Sequence, residues 1–128
     1  MIKYVTGDLI HLAKNGYFDM IGHGCNCFNT MNSGIAKQIR EEWPQLYKKD
    51  CETKSGDKSK LGTYTGSFIY REQNLTAFWV LNLYTQYAYG RDKVYVDYDA
   101  IRNCMIKIRQ NFLHYRVGLP KIGCGSCW

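Results

Sequence analysis

Apolar and polar positions alternate over residues 2–5 (Ile-Lys-Tyr-Val) until Thr6-Gly7-Asp8 interrupts them, which predicts a short first strand ending at Asp8. Residues 9–14 fit a turn of helix. Residues 17–23 read as a second strand, and the clustering of Phe18, Met20 and Ile21 marks it as buried. From Ser33 to Trp43 the rhythm changes. Ile35, Ile39 and Trp43 fall on one face of a helix that Ser33 or Asn32 would cap, and Pro44 marks its end or the start of another. Residues 51–62 carry Lys, Ser, Gly and Asp without an apolar period, the composition of a loop. Two strands, 63–71 and 76–85, follow around a polar turn at Glu72-Gln73-Asn74. Beyond residues 86–93, the span 97–115 gives the clearest helix, because Ile101, Cys104, Met105, Ile108 and Phe112 recur at spacings of three and four. A last strand, 117–122, runs into Gly123-Cys124-Gly125-Ser126.

Strands alternating with helices predict an α/β fold with helices on both faces of a sheet, and 128 residues suit a single domain over 1–128. In such sheets ligands sit where loops leave the carboxyl ends of strands. Two glycine-containing loops qualify. The first, Gly22 to Ala36, passes from an apolar run into small and polar residues and then into a helix start. A strand, loop and helix N-terminus in this order aim unpaired amides and the positive end of a helix dipole at one spot, which suits an anion such as a phosphate.

Composition narrows the picture. No apolar stretch approaches the length of a membrane span, and the N-terminus lacks the apolar core of a signal peptide, so a cytoplasmic protein without membrane partners is expected. Six cysteines without a secretion signal read as reduced thiols rather than disulfides. Cys25-x-Cys27 and Cys124-x-x-Cys127 resemble halves of a zinc site, but they are far apart and lack the flanking turn of a zinc ribbon, so no metal or other cofactor is expected. A net charge of +6 favours anionic partners in general, and eleven tyrosines could serve as stacking platforms for nucleic acid. The basic residues are scattered, and the densest group, Lys48, Lys49, Lys54, Lys58 and Lys60, reads as a solvated segment rather than a nucleic-acid track.

Three motifs together resemble the macrodomains, ADP-ribose-binding α/β modules. Tyr4-Val5-Thr6-Gly7-Asp8-Leu9 is similar to the family's opening strand and acidic turn. His23-Gly24-Cys25-Asn26-Cys27 through Gly34-Ile35-Ala36 resembles its first ligand loop, and Gly118-Leu119-Pro120-Lys121-Ile122-Gly123-Cys124-Gly125 the strand leading to the second. The Cys-Asn-Cys and Gly-Ile-Ala elements, with Asn82-Leu83-Tyr84-Thr85-Gln86, Tyr89-Gly90-Arg91 and Asp97-Tyr98, are most similar to the branch of ADP-ribose 1''-phosphate phosphatases and ADP-ribosyl-glutamate hydrolases.

The resemblance implies a three-layer α/β/α mixed sheet that binds ADP-ribose and hydrolyses a small derivative such as ADP-ribose 1''-phosphate. A non-catalytic ADP-ribose-binding module and a de-ADP-ribosylating hydrolase are the alternatives. It gives Asp8 the adenine amino group, with the Leu9 amide nearby, although Asp8 also suits a helix cap. It gives Ser33, Gly34 and Ile35 the diphosphate through backbone amides, with Gly123, Cys124, Gly125 and Ser126 closing from the other side. Asn26 would bond the distal ribose and sit beside the chemistry, or else bridge strand and loop. His23 is the candidate acid-base group because imidazole titrates near neutral pH; an inward-facing core histidine is the competing reading. The lysine and aspartate that glutamate-directed hydrolases use have no counterpart in Tyr84-Thr85-Gln86 or Gly125-Ser126-Cys127. The family also continues past its Trp with a helix and closing strand, where this sequence stops at Trp128, so a truncated product, pairing by another chain or a rearranged sheet is expected.

Overall fold

A computed structural model describes residues 3–90 and 92–122 of the chain. Its elements run in the order α1 (Leu9–Lys14), β1 (Met20–Cys25), α2 (Gly34–Glu42), α3 (Pro44–Cys51), a 3-10 turn (Lys58–Lys60), β2 (Tyr64–Tyr70), β3 (Ala77–Tyr84), α4 (Tyr98–Asn111) and β4 (Val117–Gly118). The strands form one mixed sheet in the order β2-β3-β1-β4, with β1 parallel to both β3 and β4 and with β2 antiparallel to β3.

Alternation along the strands sorts their side chains between two cores. Ile21, Cys25, Phe78, Val80 and Tyr84 join the cluster under α1, α2 and α3, which contribute Ala13, Ile39 and Leu46. Met20, Leu81 and Leu83 face α4 and meet Cys104 and Ile108. The result is the three-layer α/β/α arrangement that the sequence predicts. Among the described residues no helix is long and apolar enough to cross a membrane.

Several boundaries differ from expectation. The strand foreseen at residues 2–5 is absent over its described part: residues 3–7 are exposed and outside regular structure, Tyr4 at 90%. An alternating pattern makes a strand only where a neighbouring edge takes its backbone bonds, and none does so here among the described residues. The second strand starts at Met20 rather than Tyr17, since residues 15–17 close the end of α1 instead, with Tyr17 N–H donating to Leu12 O. The last strand pairs only at Val117 and Gly118. Pro120 has no amide to offer, and Ile122 N–H turns back to Pro120 O. Pro44 opens α3, which runs to the first residue of the span read as a loop.

Two charged residues fasten the layers. Asp19 holds Arg116 at 3.0 Å, which joins the start of β4 to β1 and lowers the Asp19 pKa. Arg71, at the β2–β3 turn, is buried and donates to Ala13 O at 2.9 Å, Phe18 O at 2.7 Å and Thr76 Oγ1 at 2.8 Å.

Candidate functional site

Parallel pairing of β1 with β3 places Cys25 beside Tyr84, so the loop after β1 and the chain after β3 leave the sheet together. Their backbones stay joined: Cys27 N–H donates to Tyr87 O at 2.9 Å, and Gly56 N–H to Cys27 O at 2.7 Å. Within the loop Asn26 Oδ1 accepts from Phe28 N–H at 2.7 Å and its Nδ2 donates to Thr30 Oγ1 at 2.7 Å. Both partners lie within residues 26–30, so Asn26 ties the loop to itself and does not bridge it to the strand. Arg40 of α2 reaches back to Thr30 O and Asn32 Oδ1 while lying 3.6 Å from the centre of the Tyr47 ring.

The loop turns through left-handed backbone at Asn29, Met31 and Gly34, with φ of 59°, 47° and 57°. Glycine adopts this region most freely, so Gly34 has a conformational reason for its identity. Ser33 occupies the N-cap position of α2 in extended form, but its side chain makes no capping bond. Among the described residues nothing accepts from the Gly34 or Ile35 amides, and Ser33 and Gly34 are exposed. A left-handed turn leading into an uncapped helix start presents donors to an anion.

Asp8 is exposed and caps α1, accepting from His11 N–H at 3.0 Å through Oδ1. Leu9 packs on the same core cluster as Ile35 and Ala36, so the starts of α1 and α2 lie over one side of the sheet. Along the other edge of β1, a Cβ at Gly22 would sit 3.2 Å from Leu119, and one at Gly24 would sit 3.8 Å from Ile122 and 2.7 Å from Thr85 Oγ1. Residues 118–122 thus follow β1 toward its carboxyl end. The second ligand loop, Gly123, Cys124, Gly125 and Ser126, lies outside the described residues.

His23 requires correction as an acid-base candidate. It is fully buried, its Nε2 lies 2.7 Å from Asn82 Oδ1, and burial lowers its pKa to about 4. The imidazole is neutral at physiological pH and sealed from water. Cys25 and Cys27 are buried free thiols whose pKa values are raised by desolvation, which disfavours the thiolate.

Sequence reading missed the polar framework behind the loop. From His23 it continues through Asn82, whose Nδ2 donates to Leu46 O at 3.0 Å and Thr65 Oγ1 at 3.1 Å. Thr65 Oγ1 lies 3.0 Å from the Tyr84 hydroxyl, which donates to Asp50 Oδ1 at 2.7 Å. Burial raises the Asp50 pKa, and the Tyr84 hydrogen bond and then the Lys60 charge partly offset this. Lys60 itself is 7% exposed and donates to Asn29 Oδ1 at 2.8 Å and Thr53 Oγ1 at 2.9 Å. Nothing in the lysine-rich segment separates it from its exposed neighbours; only the left-handed Gly62 nearby, φ 81°, marks a tight turn.

The Macro domain family model matches residues 23–127. An uncharacterized 17.5 kDa protein of the tk-vs intergenic region of Enterobacteria phage T4 is 34% identical over 131 residues, covering 98% of this chain and 79% of that protein. The ADP-ribose 1''-phosphate phosphatase of Scheffersomyces stipitis is 35% identical over 66 residues, 48% of this chain and 38% of the phosphatase. Among solved structures, Thermosipho africanus DarTG in complex with ADP-ribose has the same fold over 88% of this chain and 31% of that one, with a TM-score of 0.64 at 18% identity.

Proposed function

The chain belongs to the macro domain family, and from that premise we propose that it binds ADP-ribose at the carboxyl ends of β1 and β4, with the diphosphate on the amides that open α2. The observation that carries this reading is the uncapped start of α2 behind a left-handed turn, where the Gly34 and Ile35 amides have no acceptor among the described residues. The family resemblance assigns Gly123, Cys124, Gly125 and Ser126, which lie outside the described residues, to the same diphosphate. Asp8 receives the adenine amino group on Oδ2 while Oδ1 keeps its capping bond, and Leu9 adds its amide. Asn26 meets the distal ribose, in exchange for its bond to Thr30.

Hydrolysis of the terminal phosphate of ADP-ribose 1''-phosphate is a second reading, favoured by the partial similarity to a phosphatase of that substrate. With His23 buried and the Cys25 and Cys27 thiols protonated, such chemistry rests on water oriented by Asn26 and the loop amides. Calorimetry with ADP-ribose, paired with phosphate release from the 1''-phosphate, separates the two. Binding without release retires the phosphatase reading. Absence of binding, or full affinity in a Gly34→Val variant that crowds the turn, overturns the site.

A further inference from the structure

A buried ammonium is costly to keep out of water unless its protons are engaged, and that of Lys60 engages two loop residues. Its Nζ meets Asn29 Oδ1 and Thr53 Oγ1 and lies 5.1 Å from the centre of the Tyr84 ring. Thr53 Oγ1 donates onward to Asp50 O at 2.6 Å, so the hydroxyl is free to accept from the lysine. With Oδ1 directed at the cation, the Asn29 amide presents Nδ2 to Thr53 O at 2.9 Å. Both ends of Asn29 are fixed, and Asn29 is the first left-handed residue of the turn that leads to Gly34.

The backbone of Lys60 is anchored to the sheet in turn. Thr63 N–H and Oγ1 both donate to Lys60 O, and Gly62 N–H donates to Tyr84 O at 2.9 Å. A continuous path of bonds therefore runs from the carboxyl end of β3 through Lys60 and Asn29 to the turn before α2.

We propose that Lys60 is a positioning residue of the anion-binding turn: without touching the ligand, its ammonium locks Asn29 in left-handed form and so sets the direction of the Gly34 and Ile35 amides. This rests on the ADP-ribose reading of the site. It accounts for a charged residue where an apolar one would fill the core at lower cost.

The test combines Lys60→Met, which keeps the stem and removes the charge, with Asn29→Gly, which tolerates the left-handed backbone and removes the acceptor. ADP-ribose affinity is measured by calorimetry, amide hydrogen exchange in the ligand-free proteins, and stability by thermal melting. Each single variant is expected to weaken ADP-ribose about tenfold, the scale of one charge-assisted hydrogen bond, and the double variant no further. Exchange should quicken over residues 27–35 while β1 and β3 keep wild-type protection. Effects of the two substitutions that multiply overturn the proposal, as does a lowered melting temperature with unchanged affinity of the folded protein. If the wild type fails to bind ADP-ribose, the ligand reading falls, and exchange in the free variants still decides whether Lys60 holds the turn.

Discussion

The two faces of the sheet are built on different principles. Toward α4 the core is apolar, with Met20, Leu81, Leu83, Cys104 and Ile108 joined by Trp79 and Phe112. Toward α1–α3 a comparable apolar cluster is threaded by His23, Asn82, Thr65, Tyr84 and Asp50, with Lys60 at its loop end. Apolar packing is non-directional and tolerates many arrangements, whereas hydrogen bonds between buried groups fix angles. The face that fixes angles is the one whose helices carry the proposed ligand turn.

The sharpest way to break this contrast is to change neighbours that β3 sends to opposite faces. Asn82→Leu leaves the His23 ring and Leu46 O short of partners, while Thr65 Oγ1 keeps the Tyr84 hydroxyl, and should cost about 4 kcal/mol, two such groups at the usual penalty. Urea unfolding gives the value, and a near-neutral result would reduce the network to filler. Leu83→Ala on the apolar face should cost about 3 kcal/mol by cavity formation, with ADP-ribose affinity of the folded protein unchanged. A loss of affinity there would mean that both faces shape the site.

Acid separates the faces next. The unfolded chain protonates His23 near its ordinary value of 6.5, while the folded chain resists until about 4. Stability is therefore lost as pH falls through that interval, about 2 kcal/mol between pH 7 and pH 5. His23→Gln should flatten this part of the profile, although Asp50, whose raised pKa acts in the opposite sense, remains. The smallest effect lies at the rim. Asp8→Ala should cost about 1 kcal/mol of stability through the lost α1 cap and should weaken ADP-ribose, measured by thermal melting and calorimetry.

What the sequence disclosed follows from how local each signal is. The spacing of Ile101, Cys104 and Ile108 shows α4, and Gly34 announces a helix start, because neighbouring residues carry both messages. The pattern of residues 2–5 was as regular as that of β2, yet a strand also needs an edge to pair with, which no local pattern records. Candidate chemistry shows the same divide. His23 looked suited to proton transfer until the layers closed over it, and Lys60 looked solvated until Asn29, 31 positions away, came to it alongside Thr53 of its own segment.

Arg71 carries a consequence for assembly. Its guanidinium belongs to the β2–β3 turn, but the carbonyls of Ala13 and Phe18 that satisfy it are 58 and 53 positions away. Neither half of the polypeptide can complete that junction by itself. Two fragments cut in the polar segment before β2 should consequently recognise each other and reconstitute the native fold when mixed, with replacement of Arg71 by leucine abolishing the complementation.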